Sequence, residues 1–167
     1  MSKMIEKSER FVQKIVRIQQ FISNIFLVFI MSIITIDVLG RNIFNQPLKG
    51  TFEMTELGAA LLVFFALAVT HKQDDHITID FLVDRFSEKV RNVINGLVEI
   101  LIACIVFFMS FYMYENGVRT MERKATTTDL AISIHPFIFV ITFALIIFAL
   151  TAIFKALTYF GLAVNKK

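Results

Sequence analysis

Five acidic or basic residues break otherwise apolar stretches of this chain, and their spacing limits the chemistry they could perform. Asp37 and Arg41 stand four apart, Glu53 and Glu56 three apart, and Glu99 is alone. Asp37 and Arg41 therefore share one helix face, in the favourable acid-before-base order. Two chemistries suit such groups inside a membrane, an ion or proton relay and structural pairing. A relay needs ionisable groups spaced through the membrane depth. Here four of the five gather at one face, and Glu99 falls about seven residues into a later apolar stretch, near the other face. A charge at the centre of a spanning helix costs about 2.5–3.5 kcal/mol on insertion scales. The cluster of Asp37, Arg41, Glu53 and Glu56 is thus expected near the interface, with Arg41 paired to Asp37 or Glu56. Pairing is favoured over transport through this chain alone.

The histidines test two further chemistries. Membrane haem is often held by two histidines on facing helices, but His71 and His135 fall at opposite ends of their stretches, about 30 Å of hydrocarbon apart. His71 and His76 with Asp74, Asp75 and Asp80 match no zinc or calcium spacing and read as a solvated loop. Ser133 or His135 reads as the cap of the fourth helix, with Pro136 in its first turn. No nucleotide-binding, zinc-hydrolase, nucleophile-elbow or dinucleotide motif occurs. The chain is read as neither an enzyme nor a cofactor protein, and any transport it serves must draw on an ion gradient or another subunit. The single cysteine, Cys104, lies in an apolar run and reads as a packing residue.

The elements that must position these residues follow from composition. Of 167 residues, 56% are hydrophobic and 19% charged, with 19 Phe against 2 Pro and 6 Gly, which excludes a disordered or nucleic-acid-binding chain. A bilayer core takes about 20 helical residues to cross. Four stretches suffice, at about 18–40, 52–71, 92–114 and 133–157. The fold class expected is an all-α membrane protein with four transmembrane helices, residues 1–167 forming one membrane domain. The first stretch is too long for a signal-peptide core and lacks a small-residue cleavage site, so it is read as a retained helix.

Two amphipathic segments accompany the spans. Lys3, Glu6, Lys7, Arg10, Lys14 and Arg17 share a face, giving an interfacial or cytoplasmic helix over 3–17. Ile79, Leu82, Val83, Phe86 and Val90 recur at i, i+3, i+4, i+7 and i+11, giving an interfacial helix over about 77–91. An even number of spans puts both termini on one side. Twelve Lys and Arg fall on the side of the termini, against five, Arg41, Lys49, Arg119, Arg123 and Lys124, on the other. The positive-inside rule then makes both termini cytoplasmic.

The order of these features resembles a known family. The first span ends in Arg41-Asn-Ile-Phe44, Glu53-x-x-Glu56-Leu57 opens the second, and His76-Ile-Thr-Ile-Asp80-Phe81-Leu82 precedes the amphipathic helix carrying Phe86. Together they resemble the small, DctQ-type membrane subunit of tripartite ATP-independent periplasmic (TRAP) transporters, over nearly the whole chain. Family members often carry Trp before the acidic pair and near the fourth span. This chain has none, with Phe52 and Phe137 in those neighbourhoods.

The resemblance implies a multi-pass protein of the bacterial inner membrane. Its implied partners are a large multi-spanning subunit carrying substrate and coupling sodium ions, a periplasmic substrate-binding protein that delivers an organic acid, and membrane lipids. The chain itself would be a scaffold helping to dock the binding protein, with Lys49, Arg119, Arg123 and Lys124 as docking candidates. The stretch Ile79-Asp80-Phe81-Leu82 with Glu88-Lys89-Val90-Arg91 is similar to sialic acid systems, which suggests sialic acid as the substrate. Two other readings stand beside it, an autonomous small ion-coupled transporter or channel and a membrane anchor of a respiratory enzyme.

Overall fold

In hydrocarbon every backbone N–H and C=O must be satisfied within the protein, which forces apolar runs of this length into helices. In the computed structural model, which describes residues 2–72 and 87–165, four helices form: α1 (Ser2–Phe44), α2 (Thr51–Lys72), α3 (Glu88–Glu122) and α4 (His135–Asn165). All four are long and apolar enough to cross a membrane. Hydroxyls within these helices follow the same rule. Thr142 Oγ1 donates to Ile138 O at 2.9 Å and Thr151 Oγ1 to Ile147 O at 2.9 Å, each returning its proton to the turn before it.

The segment 3–17 is continuous with the first span, so α1 runs 43 residues without a break. Val16 is buried against Val69 and Phe154, and the helix is engaged with the bundle from that point. Of the expected interfacial helix over 77–91, residues 77–86, including the motif residues Asp80, Phe81, Leu82 and Phe86, lie outside the described residues, as does His76. Residues 88–91 form the first turn of α3.

The helices pack in the order α1, α2, α4, α3, each chiefly against its neighbour in that row. The core joins the last three of that row, with Leu61, Phe65 and Ala68 of α2, Val106 of α3, and Ile141, Leu145 and Phe148 of α4. Between α3 and α4 the packing has a heptad rhythm. The buried residues of α3 are Asn92, Gly96, Glu99, Ala103, Val106, Ser110 and Gly117. Alternating steps of four and three keep one seam facing a neighbour, and the small residues Gly96, Ala103, Ser110 and Gly117 recur every seven. Small residues let backbones approach closely, and without a hydrophobic driving force in lipid that approach is what holds helices together. A Cβ on Gly117 would lie 2.9 Å from the Phe139 ring, and one on Gly96 would lie 2.9 Å from the Phe160 ring.

Gly161 gives the contrast, since no atom lies within 4 Å of a Cβ built there. Gly117→Leu should therefore destabilise the purified chain in detergent by about 1–3 kcal/mol, the usual cost of overpacking. Gly161→Leu should leave the melting temperature unchanged or raise it, because Gly is the poorer helix former. Equal effects at the two sites would show that the seam does not hold the pair.

Candidate functional site

The charged residues are organised in two layers, one at each end of the bundle. The first surrounds the connections α1–α2 and α3–α4. α1 stops at Asn45, whose φ of 51° is left-handed, and the Gln46 amide then donates to Gly40 O at 3.1 Å. Only glycine fits at position 40, because a Cβ there would lie 2.8 Å from Gln46 O. This returning turn brings the Leu48 amide to Asp37, whose Oδ1 accepts it at 2.9 Å. The other carboxylate oxygen, Oδ2, lies 2.8 Å from Arg41 Nε. Asp37 is buried while Arg41 reaches outward.

Glu53 does the same for the second connection. Its Oε1 accepts the Asp129 amide at 2.5 Å and its Oε2 the Leu130 amide at 3.0 Å. The segment it holds is a small hairpin. The Thr127 amide donates to Ile132 O at 2.9 Å, the Ile134 amide to Ala125 O at 3.2 Å, and Thr126 bridges to Ser133. Leu130 then covers Gly50, whose φ is 76° and where any Cβ would overlap the Leu130 side chain. Two buried carboxylates and two closely packed glycines thus tie the two connections together.

Glu56, the other acid of the sequence cluster, is exposed. Lys49, Arg119, Arg123 and Lys124 are also exposed and lie on or beside the two connections. Arg119 Nη2 is 2.5 Å from Glu115 Oε1, and Lys124 adopts a left-handed φ of 50° as the chain leaves α3.

The second layer, at the opposite end, joins three helices. His71 Nε2 of α2 lies 2.8 Å from Glu99 Oε2 of α3, and Lys155 Nζ of α4 lies 3.3 Å from Glu99 Oε1. Lys155 Nζ also donates to His71 O at 3.0 Å, capping a carbonyl in the last turn of α2. Phe148 covers the imidazole at 4.9 Å between ring centroids. His71, expected in a solvated loop, is instead 1% exposed. Spacing gave no sign of this, since Lys155 follows His71 by 84 residues. Among the described residues no cluster of His, Cys, Asp and Glu could hold a metal ion.

Two smaller expectations change as well. Cys104 faces outward from α3 instead of packing. His135 opens α4, but the bonds at that helix start run from the Phe137 and Ile138 amides to Ile134 O. Its ring sits edge-on to Phe139, 6.3 Å away.

Between the layers the helices carry no acidic or basic side chain. A family model described as Tripartite ATP-independent periplasmic transporters, DctQ component, matches residues 30–160, a stretch that contains both layers. The chain belongs to the DctQ family. DctQ components are membrane transport components and not enzymes. With its four spanning helices, this DctQ chain is a multi-pass protein of the bacterial inner membrane. It is also similar to the "Sialic acid TRAP transporter permease protein SiaT" of Haemophilus influenzae (strain 86-028NP), with 26% identity over 114 residues. The match covers 68% of this DctQ chain but 18% of that permease, so the chain spans under a fifth of the length of its relative.

Removing one partner of a buried charge pair leaves the other uncompensated, at a cost of about 3–5 kcal/mol. Glu99→Leu and Lys155→Met should each lower the stability of the detergent-purified chain by an amount of that order. The double variant should lose clearly less than the sum of the two. Additive losses in such a cycle would show that the pair is not energetically coupled.

Proposed function

We propose that this DctQ chain is the small scaffold subunit of a sodium-coupled TRAP transporter that imports an organic acid delivered by a periplasmic binding protein. The observation that carries the reading is the confinement of every acidic and basic side chain in the spans to two layers, within a stretch matched by the DctQ family. A carrier of ions or acids needs polar groups along its path. A scaffold needs the opposite, rigid ends and an apolar middle. The large membrane subunit would then carry substrate and sodium, with this chain holding it in the bilayer.

The positive-inside count supports an orientation in which the two fastened connections face the periplasm and both termini the cytoplasm. Lys49, Arg119, Arg123 and Lys124 then present cations toward the binding protein, on a surface whose backbone Asp37 and Glu53 hold still. Fixed cations steer an acidic partner more than they add to final affinity. The substrate class proposed is sialic acid, supported by the name of the Haemophilus influenzae permease that this chain resembles.

Reconstitution into liposomes tests this reading. Sodium-driven uptake of sialic acid, with its binding protein present, should require both this chain and its large membrane subunit. Uptake by this chain alone would replace the scaffold with an autonomous carrier. Silence in both cases would remove sialic acid.

The docking surface has its own test. Reversing Arg119, Arg123 and Lys124 to glutamate should slow uptake most at low ionic strength, where charges interact across about 10 Å or more, while the chain still reaches the membrane. Uptake unchanged at every salt concentration would exclude docking through these cations.

A further inference from the structure

α1 is the least covered of the four helices. Only 17% of its most apolar stretch is buried, against 50% for α4. An apolar face left open in this way is satisfied by lipid and by itself shows no partner. At mid-depth on that side of the helix, one residue is not satisfied so. Its depth is set by its neighbour, because Ser23 Oγ donates to Leu62 O at 3.2 Å and so fixes α1 against α2. Leu62 is nine residues from Glu53 and nine from His71, so it stands midway between the two polar layers.

Asn24, the next residue, is therefore at mid-depth and points about 100° away from Ser23, where it is exposed. Its carboxamide makes no hydrogen bond among the described residues. Gln20, one turn nearer the end of the span, is likewise exposed, whereas the hydroxyls farther along the open side of α1 turn back on their own helix. Ser32 Oγ donates to Val28 O at 2.8 Å and Thr35 Oγ1 to Met31 O at 2.7 Å. Gln19, one turn earlier, also has an unpaired carboxamide, but it is buried toward the bundle at 2% exposure.

A primary amide offers two donors and an acceptor, and in hydrocarbon all three go unmet at considerable cost. Polar residues within spans accordingly face protein or water-filled cavities, and Asn is among those that bond between helices. Asn24, Val28, Met31 and Thr35 recur at i, i+4, i+7 and i+11, the stripe a second helix would cover. All four are exposed.

We propose that this stripe of α1 is the surface on which a transmembrane helix of the large subunit lies, presenting a hydroxyl, amide or free carbonyl to Asn24. The proposal rests on the small-subunit reading above. It assigns the interface to α1 and its central contact to one side chain.

The test uses this chain co-expressed with its large membrane subunit. A photoreactive amino acid placed at position 24 should give an adduct with the summed mass of the two chains. Asn24→Leu should weaken co-purification of the complex about three- to twentyfold, the span measured for hydrogen bonds between membrane helices. It should leave the melting temperature of the isolated chain unchanged, since the carboxamide has no partner within it.

An adduct of twice the chain's own mass would make the stripe a self-association surface and overturn the proposal. So would the absence of any protein adduct, or an Asn24→Leu variant that holds the large subunit as tightly as before. If the unaltered chain fails to retain the large subunit, the subunit reading itself falls. A sound complex indifferent to position 24 sinks only the assignment to α1.

Discussion

The constraint beneath this structure is the absence of water in the hydrocarbon core, where an unmet polar group has no solvent to fall back on. The helices follow from it directly, and so does the placement of the buried acids within them. Asp37 and Glu53 use both carboxylate oxygens. Glu99 is bracketed by His71 and Lys155. The hydroxyls of Ser32, Thr35, Thr142 and Thr151 return to the preceding turn. The same demand that shapes the backbone thus turns the rare charges into fasteners, and it makes Asn24, exposed and unmatched, stand out.

What could be read from the sequence is what depends on local composition. Four spans emerge because an apolar run of about twenty residues has one stable form in a bilayer. The Asp37–Arg41 contact is of a kind that i, i+4 spacing alone can suggest. The partners of Glu53 could not be foreseen, since they are backbone amides 76 and 77 residues away and carry no side-chain signature. His71 looked like part of a polar loop because Gln73, Asp74 and Asp75 follow it. Only the approach of α3 and α4 reveals why it is enclosed.

The seam between α3 and α4 illustrates the same limit in another way. Gly96, Ala103, Ser110 and Gly117 form a strict seven-residue series in the sequence. Hydrophobic patterning cannot reveal it, because nearly every position of a spanning helix is apolar. In a membrane the informative signal is size, and the small residues mark where helices meet. Cys104, next to Ala103, falls one position off that series and faces outward.

The long separations within both layers also order events in time. Glu53 enters the bilayer with α2, and the amides that satisfy it are made 76 residues later. At synthesis rates of about 5–20 residues per second, that interval lasts roughly 4–15 s. Lys155 reaches the His71 carbonyl only after 84 residues. The nascent protein therefore carries Glu53 without its amides until the hairpin ahead of α4 is made, and Glu99 without its lysine until α4 itself arrives, so a ribosome that stalls before residue 129 leaves the acids at both ends short of partners.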